Sequence, residues 1–230
     1  MSGPFSVATI IGSLRAASYS RKMAHALISL APPSLTCQLV EIGDLPLYNE
    51  DLDAKPPASW ERFRGQIRAA DAVLFVTPEY NRSIPGGLKN ATDIGSRPEG
   101  ENVFDGLPAG VVSVTPYKLG AFGANHVLRQ NFVYLNLLPM QQPEAYIGNA
   151  GKLFDQEGKL QSDDTAKLGK SFMIAFASWI ETVSAGRRDM ARSSTSGRVM
   201  NTGAREHLPS AGCRQRSVNT SHRRKVDRTC

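Results

Sequence analysis

Several absences narrow the chemistry of this 230-residue chain. No apolar run approaches the ~20 residues that a bilayer span requires. The first residues, MSGPFSVATII, carry neither a basic leader nor a cleavage site, so they read as the entry to a strand and not as a secretion signal. Cysteine is scarce: Cys37, Cys213 and Cys230 stand far apart and are odd in number. With no CxxC and no Cys/His spacing, neither a zinc site nor a disulfide framework is expected, and the plain reading is a reducing, cytoplasmic setting without membrane attachment. The four histidines are scattered, and His126 falls in a helical pattern as an ordinary surface or half-buried residue. There is no GxSxG and no Cys near a His, which argues against a nucleophilic triad. There is no GxxxxGK[ST], and GxGxxG is missing too, which lowers the case for an ATP cradle or a dinucleotide-binding fold.

Charge is unevenly placed. Residues 184–230 hold 11 Lys and Arg against 3 Asp and Glu, a net of +8, which leaves 16 basic and 18 acidic residues in 1–183, a net of −2. The basic pI of 9.4 therefore describes the tail alone. That tail has no Phe, Trp or Tyr and is dominated by Arg, Ser, Thr and Gly. It cannot bury enough apolar area to offset its ordering entropy, so disorder is expected from 184 onward. With no aromatic residue for base stacking, its charge alone makes a poor case for nucleic acid.

Residues 1–183 alternate short β-branched runs with helical periods. FSVATII (5–11), TCQLVEI (36–42), AVLFVT (72–77), AGVVSVT (109–115) and QPEAYIG (142–148) read as strands. Between them come RKMAHALISL, SWERFRGQIRAAD with Ser59 as a candidate N-cap, AFGANHVLRQNFVYLNL (121–137), and a last helix carrying Phe172, Phe176, Trp179 and Ile180. This pattern implies a five-stranded parallel sheet covered on both faces, a doubly wound three-layer α/β sandwich, of which 2-1-3-4-5 is a common strand order.

Ligands of such sheets bind beyond the carboxyl ends of the strands. Three loops leave those ends. GSLRAASYSR (12–21) offers Ser13, Ser18 and Ser20 hydroxyls, Arg15 and Arg21, and a helix start whose N–H groups suit an anion, although a plain Ser-rich turn would look the same. TPEYNRSIPGGLKN follows strand three with Pro78, Glu79, Tyr80 and Asn81; Tyr80 can lie on a flat ring or simply anchor the loop, while Lys89 reads as a solvated charge. Gly86 and Gly87 permit close approach of another surface. TPYKLGAFGAN (115–125) brings Thr115, Tyr117, Lys118, Gly120 and Gly123 to the other side. Glu79 is the one acid expected at the site, so acid–base machinery is thin and a cofactor would have to carry the chemistry.

GSLRAASYSRKMAHAL, LPLYNEDL, TPEYNRSIPGGLKNATDIGSRP, LRQ…QPEAYI and FDQEGKL together resemble the NADPH-dependent FMN reductase family, which includes bacterial chromate and quinone reductases, over roughly residues 5–183. The resemblance implies a flavodoxin-like fold with non-covalent FMN. It puts Ser13, Arg15, Ser18 and Ser20 on the FMN phosphate and Pro78, Glu79, Tyr80 and Asn81 along the isoalloxazine ring. Residues 115–120, with Thr115 and Tyr117, would close the site. No protein side chain is then catalytic: hydride passes from NADPH or NADH to flavin N5, and electrons go on to quinone, flavin, azo or metal-oxyanion acceptors. A homodimer or homotetramer is also implied, with helix 121–138 and the segment after it as candidate interface. The other reading, a non-enzymatic electron carrier or redox-sensing FMN module, shares the fold. Three features depart from the family: Tyr117-Lys118 in a loop that is elsewhere small and Gly-rich, Ile94-Gly95 where an aromatic is common, and the basic tail.

Overall fold

The structure, a computed structural model, describes residues 3–199. One compact unit spans Met1–Met190. The strands are β1 (Phe5–Ile11), β2 (Leu35–Val40), β3 (Ala72–Thr77), β4 (Pro108–Val114), β5 (Leu138–Pro139) and β6 (Ala145–Ile147). The helices are α1 (Tyr19–Leu30), α2 (Ala58–Arg68), α3 (Gly86–Gly95), α4 (Phe122–Leu135) and α5 (Asp163–Val199). All strand pairs are parallel, in the order β2-β1-β3-β4-β5, and β6 also pairs with β4. This is the expected order.

Strand residues alternate between two cores. Ala8, Ile10, Val73, Phe75, Ala109 and Val111 face α2, α3 and α4, where they meet Trp60, Phe63, Ile67, Leu88, Ile94, Leu128 and Phe132. Val7, Ile11, Leu74, Val76, Val112 and Val114 face α1 and α5, where they meet Met23, Leu27, Phe172, Met173, Phe176 and Ile180. Both faces being buried explains why the strands read as continuous apolar runs.

The fifth sheet position differs from the sequence reading in a specific way. It is split into two pieces. Leu138 and Pro139 pair with Pro108 and Ala109, and Ala145–Ile147 pair with Val112–Val114. Between them β4 spends two residues while the edge spends five; the Met140 N–H still donates to Ala109 O at 2.8 Å, and residues 141–144 bulge out of the ladder. Pro139 cannot donate to a ladder and is tolerated because this is the edge. The reading also placed an N-cap at Ser59. The helix instead begins at Ala58 with Pro57 in the cap position and no side-chain cap, because proline already holds the backbone angle that a helix entry needs. Helix α5 continues through Val199, into the segment 184–230 expected to be a tail; 200–230 lie outside the described residues. Among the described residues no helix is long and apolar enough to cross a membrane.

The long loop after β2 is held by a buried ion pair. Arg64 donates to the Ile94 carbonyl at 3.0 Å and pairs with Asp53 at 3.4 Å, and its guanidinium lies 5.5 Å from the Trp60 ring centroid. Asp53 also accepts from the Tyr48 hydroxyl at 2.8 Å. Ile94 and Gly95, which stand where the family commonly has an aromatic, lie in the core. The Phe104 ring occupies the space beside Gly95, where a Cβ would stand 2.3 Å from Phe104 Cε2. Gly95→Ala should therefore cost about 1–3 kcal/mol through overpacking. Gly65→Ala in α2, whose Cβ meets nothing within 4 Å, should add about 0.5–1 kcal/mol. Urea unfolding midpoints at constant m-value check both, and the pair must move in opposite directions.

Candidate functional site

Strand order reverses between β1 and β3, so the loops leaving their carboxyl ends diverge and open a crevice. The two strand ends themselves are very close. The Gly12 N–H donates to Val76 O at 2.9 Å, and a Cβ on Gly12 would stand 2.7 Å from Thr77 Oγ1. Only glycine fits there, and the chain beyond it is aimed into the crevice.

Ser13 is buried and its Oγ accepts from the Arg15 N–H at 3.4 Å. Ser18 is the N-cap of α1, its Oγ accepting from the Arg21 N–H at 3.2 Å. No acidic residue stands in the first turn, so the positive end of the helix is not neutralised locally. Ser20 is buried in that turn, and its Oγ has no hydrogen-bond partner in the protein. Of the two arginines, Arg21 pairs with Glu41 at 3.5 Å at the end of β2. Arg15 is exposed and makes no ion pair among the described residues. Leu14 reaches across to α3, where a Cβ on Gly87 would sit 3.4 Å from it, whereas Gly86 faces open space.

After β3, Tyr80 and Ser83 exchange backbone hydrogen bonds of 2.9 Å. The two residues between them have positive φ, Asn81 at 51° and Arg82 at 63°, as a type I′ turn demands. Tyr80 is half exposed, and its hydroxyl lies 3.4 Å from Ser13 Oγ. The first two loops are thereby joined. Pro78 is half-buried at the strand end. Lys89 pairs with Asp93 one turn along α3 and stays half exposed, as a surface charge should.

Glu79 has a role that spacing did not reveal. Its Oε2 accepts from the Ala124 N–H at 3.1 Å, and its Oε1 pairs with Arg82 at 2.9 Å. Helix α4 starts from Ala121, a left-handed residue with no side-chain cap of its own. Glu79, 45 residues earlier, supplies the cap. Gly123 makes room for it, since a Cβ there would lie 2.9 Å from Glu79 Oε2.

The third loop is pinned from behind. Gly120, with φ +61°, sits against the Tyr146 backbone, and Gly148 sits against the Lys118 carbonyl; a Cβ on either would come within 2.6 Å. Asn149 N–H donates to Tyr117 O at 3.2 Å and Ala150 N–H to Thr115 O at 3.1 Å. A buried chain runs from Gly120 O to Ser113 Oγ at 2.7 Å, to Asn125 at 3.3 Å, to Arg129 at 3.0 Å. Sequence reasoning missed Ser113, Asn125 and the 146–150 segment. A Gly-Asn pair at 148–149 was the one signal available.

Between the second and third loops lies a cavity of about 410 Å³. Glu79, Asn81 and Arg82 form one wall; Thr115, Tyr117, Leu119 and Ala121 form the other. Thr115 is buried, while Tyr117 and Leu119 are well exposed. Behind this wall, on α4, the Phe122 and His126 rings meet at a tilt of 44° with centroids 4.1 Å apart. The Tyr146 hydroxyl donates to Glu144 at 2.8 Å and lies 3.1 Å from His126 Nε2. Desolvation first, then the Glu144 carboxylate, push the Tyr146 phenol up to about 12. It stays neutral at any physiological pH.

The sequence matches the family described as NADPH-dependent FMN reductase over residues 5–152. A quinone reductase of Pseudomonas putida is 57% identical over 182 residues, covering 79% of this chain and 97% of the relative. A 2-hydroxy-1,4-benzoquinone reductase of a Burkholderia species is 42% identical over 174 residues, covering 76% and 95%. Among solved structures, the flavoenzyme NAD(P)H:(acceptor) oxidoreductase FerB from Paracoccus denitrificans superposes with a TM-score of 0.73 at 41% identity, covering 77% of this chain and 98% of that one.

The cap is testable apart from any activity. Glu79→Ala removes the acceptor of the Ala124 N–H and should cost about 1–2 kcal/mol. Glu79→Gln keeps an acceptor oxygen and should cost less. Equal stability of wild type and the alanine variant in urea would remove the capping role.

Proposed function

The chain belongs to the NADPH-dependent FMN reductase family, and from that membership we propose that its crevice passes reducing equivalents from NADPH or NADH, through FMN, to a quinone. It is an oxidoreductase with a flavodoxin-like fold, and its cofactors are FMN and NAD(P)H. The enzyme reading therefore takes precedence over a passive electron carrier. The reductase unit is assigned to residues 1–183, in a cytoplasmic setting consistent with the free thiol of Cys37.

One observation carries the residue assignment. The start of α1 is an anion site with its donors in place and its local charge unopposed. Ser20 Oγ is buried there without a partner, and such a group costs free energy unless something accepts from it or donates to it. A phosphate monoester fits this donor set. Ser13, Ser18 and Ser20 would hold its oxygens, together with the first N–H groups of α1. Arg15, exposed and unpaired, would fold over it. The contact between Ser13 and Tyr80 then continues the site from the phosphate loop to the cavity. There Pro78, Glu79, Tyr80 and Asn81 would line one edge of the ring, and Thr115 and Tyr117 the other. Bound FMN supplies two-electron redox chemistry. The protein contributes a flat slot, backbone and Asn81 donors to the ring edge, and walls that limit water. Leu119 and Tyr117 leave the outer side of the slot accessible, which suits a planar nicotinamide and a planar acceptor entering in turn.

The purified protein should show oxidised-flavin absorbance that bleaches with NADPH without oxygen and returns with a quinone. Bands that persist with both nicotinamides would overturn the reductase reading. Arg15→Ala should weaken FMN binding roughly tenfold or more, the loss expected for one charge-assisted contact to phosphate. Unchanged affinity would take Arg15 off the phosphate.

The same reading includes a homodimer or homotetramer. Its support is the outer face of α4, where Phe122, Val133 and Tyr134 are all exposed and would be covered by a second copy. Light scattering should give a mass above the 25.0 kDa of one chain, and Val133→Lys with Tyr134→Lys should return it toward that value. A mass that the double variant leaves unaltered would exclude this face.

A further inference from the structure

Arg82 is a side chain that the cofactor assignment leaves unused. It lines the cavity at the second central position of the type I′ turn, with φ 63°. That position favours glycine, and the sequence Asn-Gly would meet the turn without strain. A left-handed conformation is unfavourable for an ordinary residue. The chain nevertheless holds an arginine here.

The ion pair it makes is lopsided. Glu79 is 11% exposed and Arg82 is 77% exposed. The carboxylate is turned inward, where the Ala124 N–H at the start of α4 also neutralises it. The guanidinium is turned out to the cavity with donors to spare, since one carboxylate oxygen uses only part of its five N–H groups. The pair as a whole thus presents its positive end to whatever enters. Lys118, in the facing loop, is exposed and makes no ion pair among the described residues. Among the residues that line the cavity Glu79 is the single carboxylate, and its charge is spent. The remaining lining is uncharged: Asn81 and Thr115 are polar, and Tyr117, Leu119 and Ala121 are flat or apolar.

We infer that Arg82 is a specificity residue that selects an acceptor carrying a negative charge on a planar ring, namely a hydroxyquinone in its ionised form. A hydroxyl on a quinone ring is a vinylogous carboxylic acid, so such compounds are anions at neutral pH. The acceptor ring would enter from the outer side of the flavin slot, which Tyr117 and Leu119 leave accessible, and its charged oxygen would accept from Arg82 while Glu79 keeps its backbone donor. In the net reaction the hydroxyquinone anion takes a hydride from NADPH and two protons from water. It leaves as the neutral trihydroxybenzene, and NADP⁺ is formed. Reduction discharges the ring, so the product loses the interaction that recruited the substrate, and its release is favoured. The inference rests on the quinone reductase reading above and specifies its substrate class.

The test compares 2-hydroxy-1,4-benzoquinone with unsubstituted 1,4-benzoquinone, using the FMN-loaded wild type, Arg82→Gly and Arg82→Lys. Glycine suits the turn, the Tyr80–Ser83 backbone bonds remain, and Glu79 keeps its bond from the Ala124 N–H, so the variant should fold. The ratio of kcat/KM for the anionic acceptor to that for the neutral one should fall roughly tenfold or more in Arg82→Gly, as expected for one charge-assisted hydrogen bond. Arg82→Lys should recover much of that ratio. In wild type, the ratio should decline with added salt. A ratio that Arg82→Gly leaves unaltered overturns the assignment. So does a change in the NADPH to NADH ratio in its place, which would mean that the guanidinium reads the nucleotide phosphate. No NADPH oxidation by wild type with either acceptor would instead overturn the reductase reading itself.

Discussion

One carboxylate ties together the parts of the site that are furthest apart in sequence. Glu79 leaves β3, caps α4 through Ala124, and fixes Arg82 within its own turn. Without it α4 would begin at a left-handed alanine with its N–H groups open. The turn 80–83 would lose the contact that orients it. The two walls of the cavity are thus one mechanical unit, although they come from different crossovers of the sheet. Gly123 belongs to that unit because any side chain there would displace the carboxylate.

The same geometry sets the electrostatics. A doubly wound sheet collects helix N-termini at the carboxyl ends of its strands, so the crevice begins with positive potential. The protein uses the two nearest helix ends differently. At α1 there is no acid in the first turn, the cap is a neutral serine, and Ser20 lies buried without a partner. That end is left open to an external anion. At α4 an internal anion, Glu79, already fills the place. The first helix end therefore suits a phosphate. The second gives structure to the slot beside it, and returns a positive charge to the surface through Arg82.

The fold was largely legible because both faces of the sheet are buried. Runs such as AVLFVT have one interpretation when bounded by turn residues, and the helices between them carry clear apolar periods. The 2-1-3-4-5 order followed from alternation and from resemblance. The split edge did not follow: Leu138 and Pro139 continue a helical apolar pattern, and their pairing with Pro108 and Ala109 is decided by tertiary contact. The loops of the site were legible as chemistry but not as geometry. Ser18 was legible as a hydroxyl at a helix start, and in the structure it caps α1, its Oγ accepting from the Arg21 N–H. Glu79 was legible as the acid of the site, but not as the cap of a helix 45 residues on. Nothing local to PEYN announces that contact. Asn125 and Ser113 were invisible for a similar reason: a polar residue at a buried position shows in sequence only as an interruption of pattern, and its partners are non-local.

The departures noted in the sequence divide on physical grounds. Ile94 and Gly95 change the interior, and Phe104 has taken up the space beside them, so that difference is absorbed by packing. Tyr117 and Lys118 cannot be absorbed in this way. Their loop is clamped by backbone contacts at Gly120, Gly148 and Asn149, which fix the main chain and leave the side chains exposed. A fixed loop with exposed, unpaired side chains facing a cavity spends no stability on them, so it is free to vary with the ligand. Arg82 is the stronger instance, because there the chain accepts backbone strain to keep the side chain in place. Strain retained at a cavity mouth is better explained by what the side chain meets there than by the fold, which a glycine would serve at lower cost.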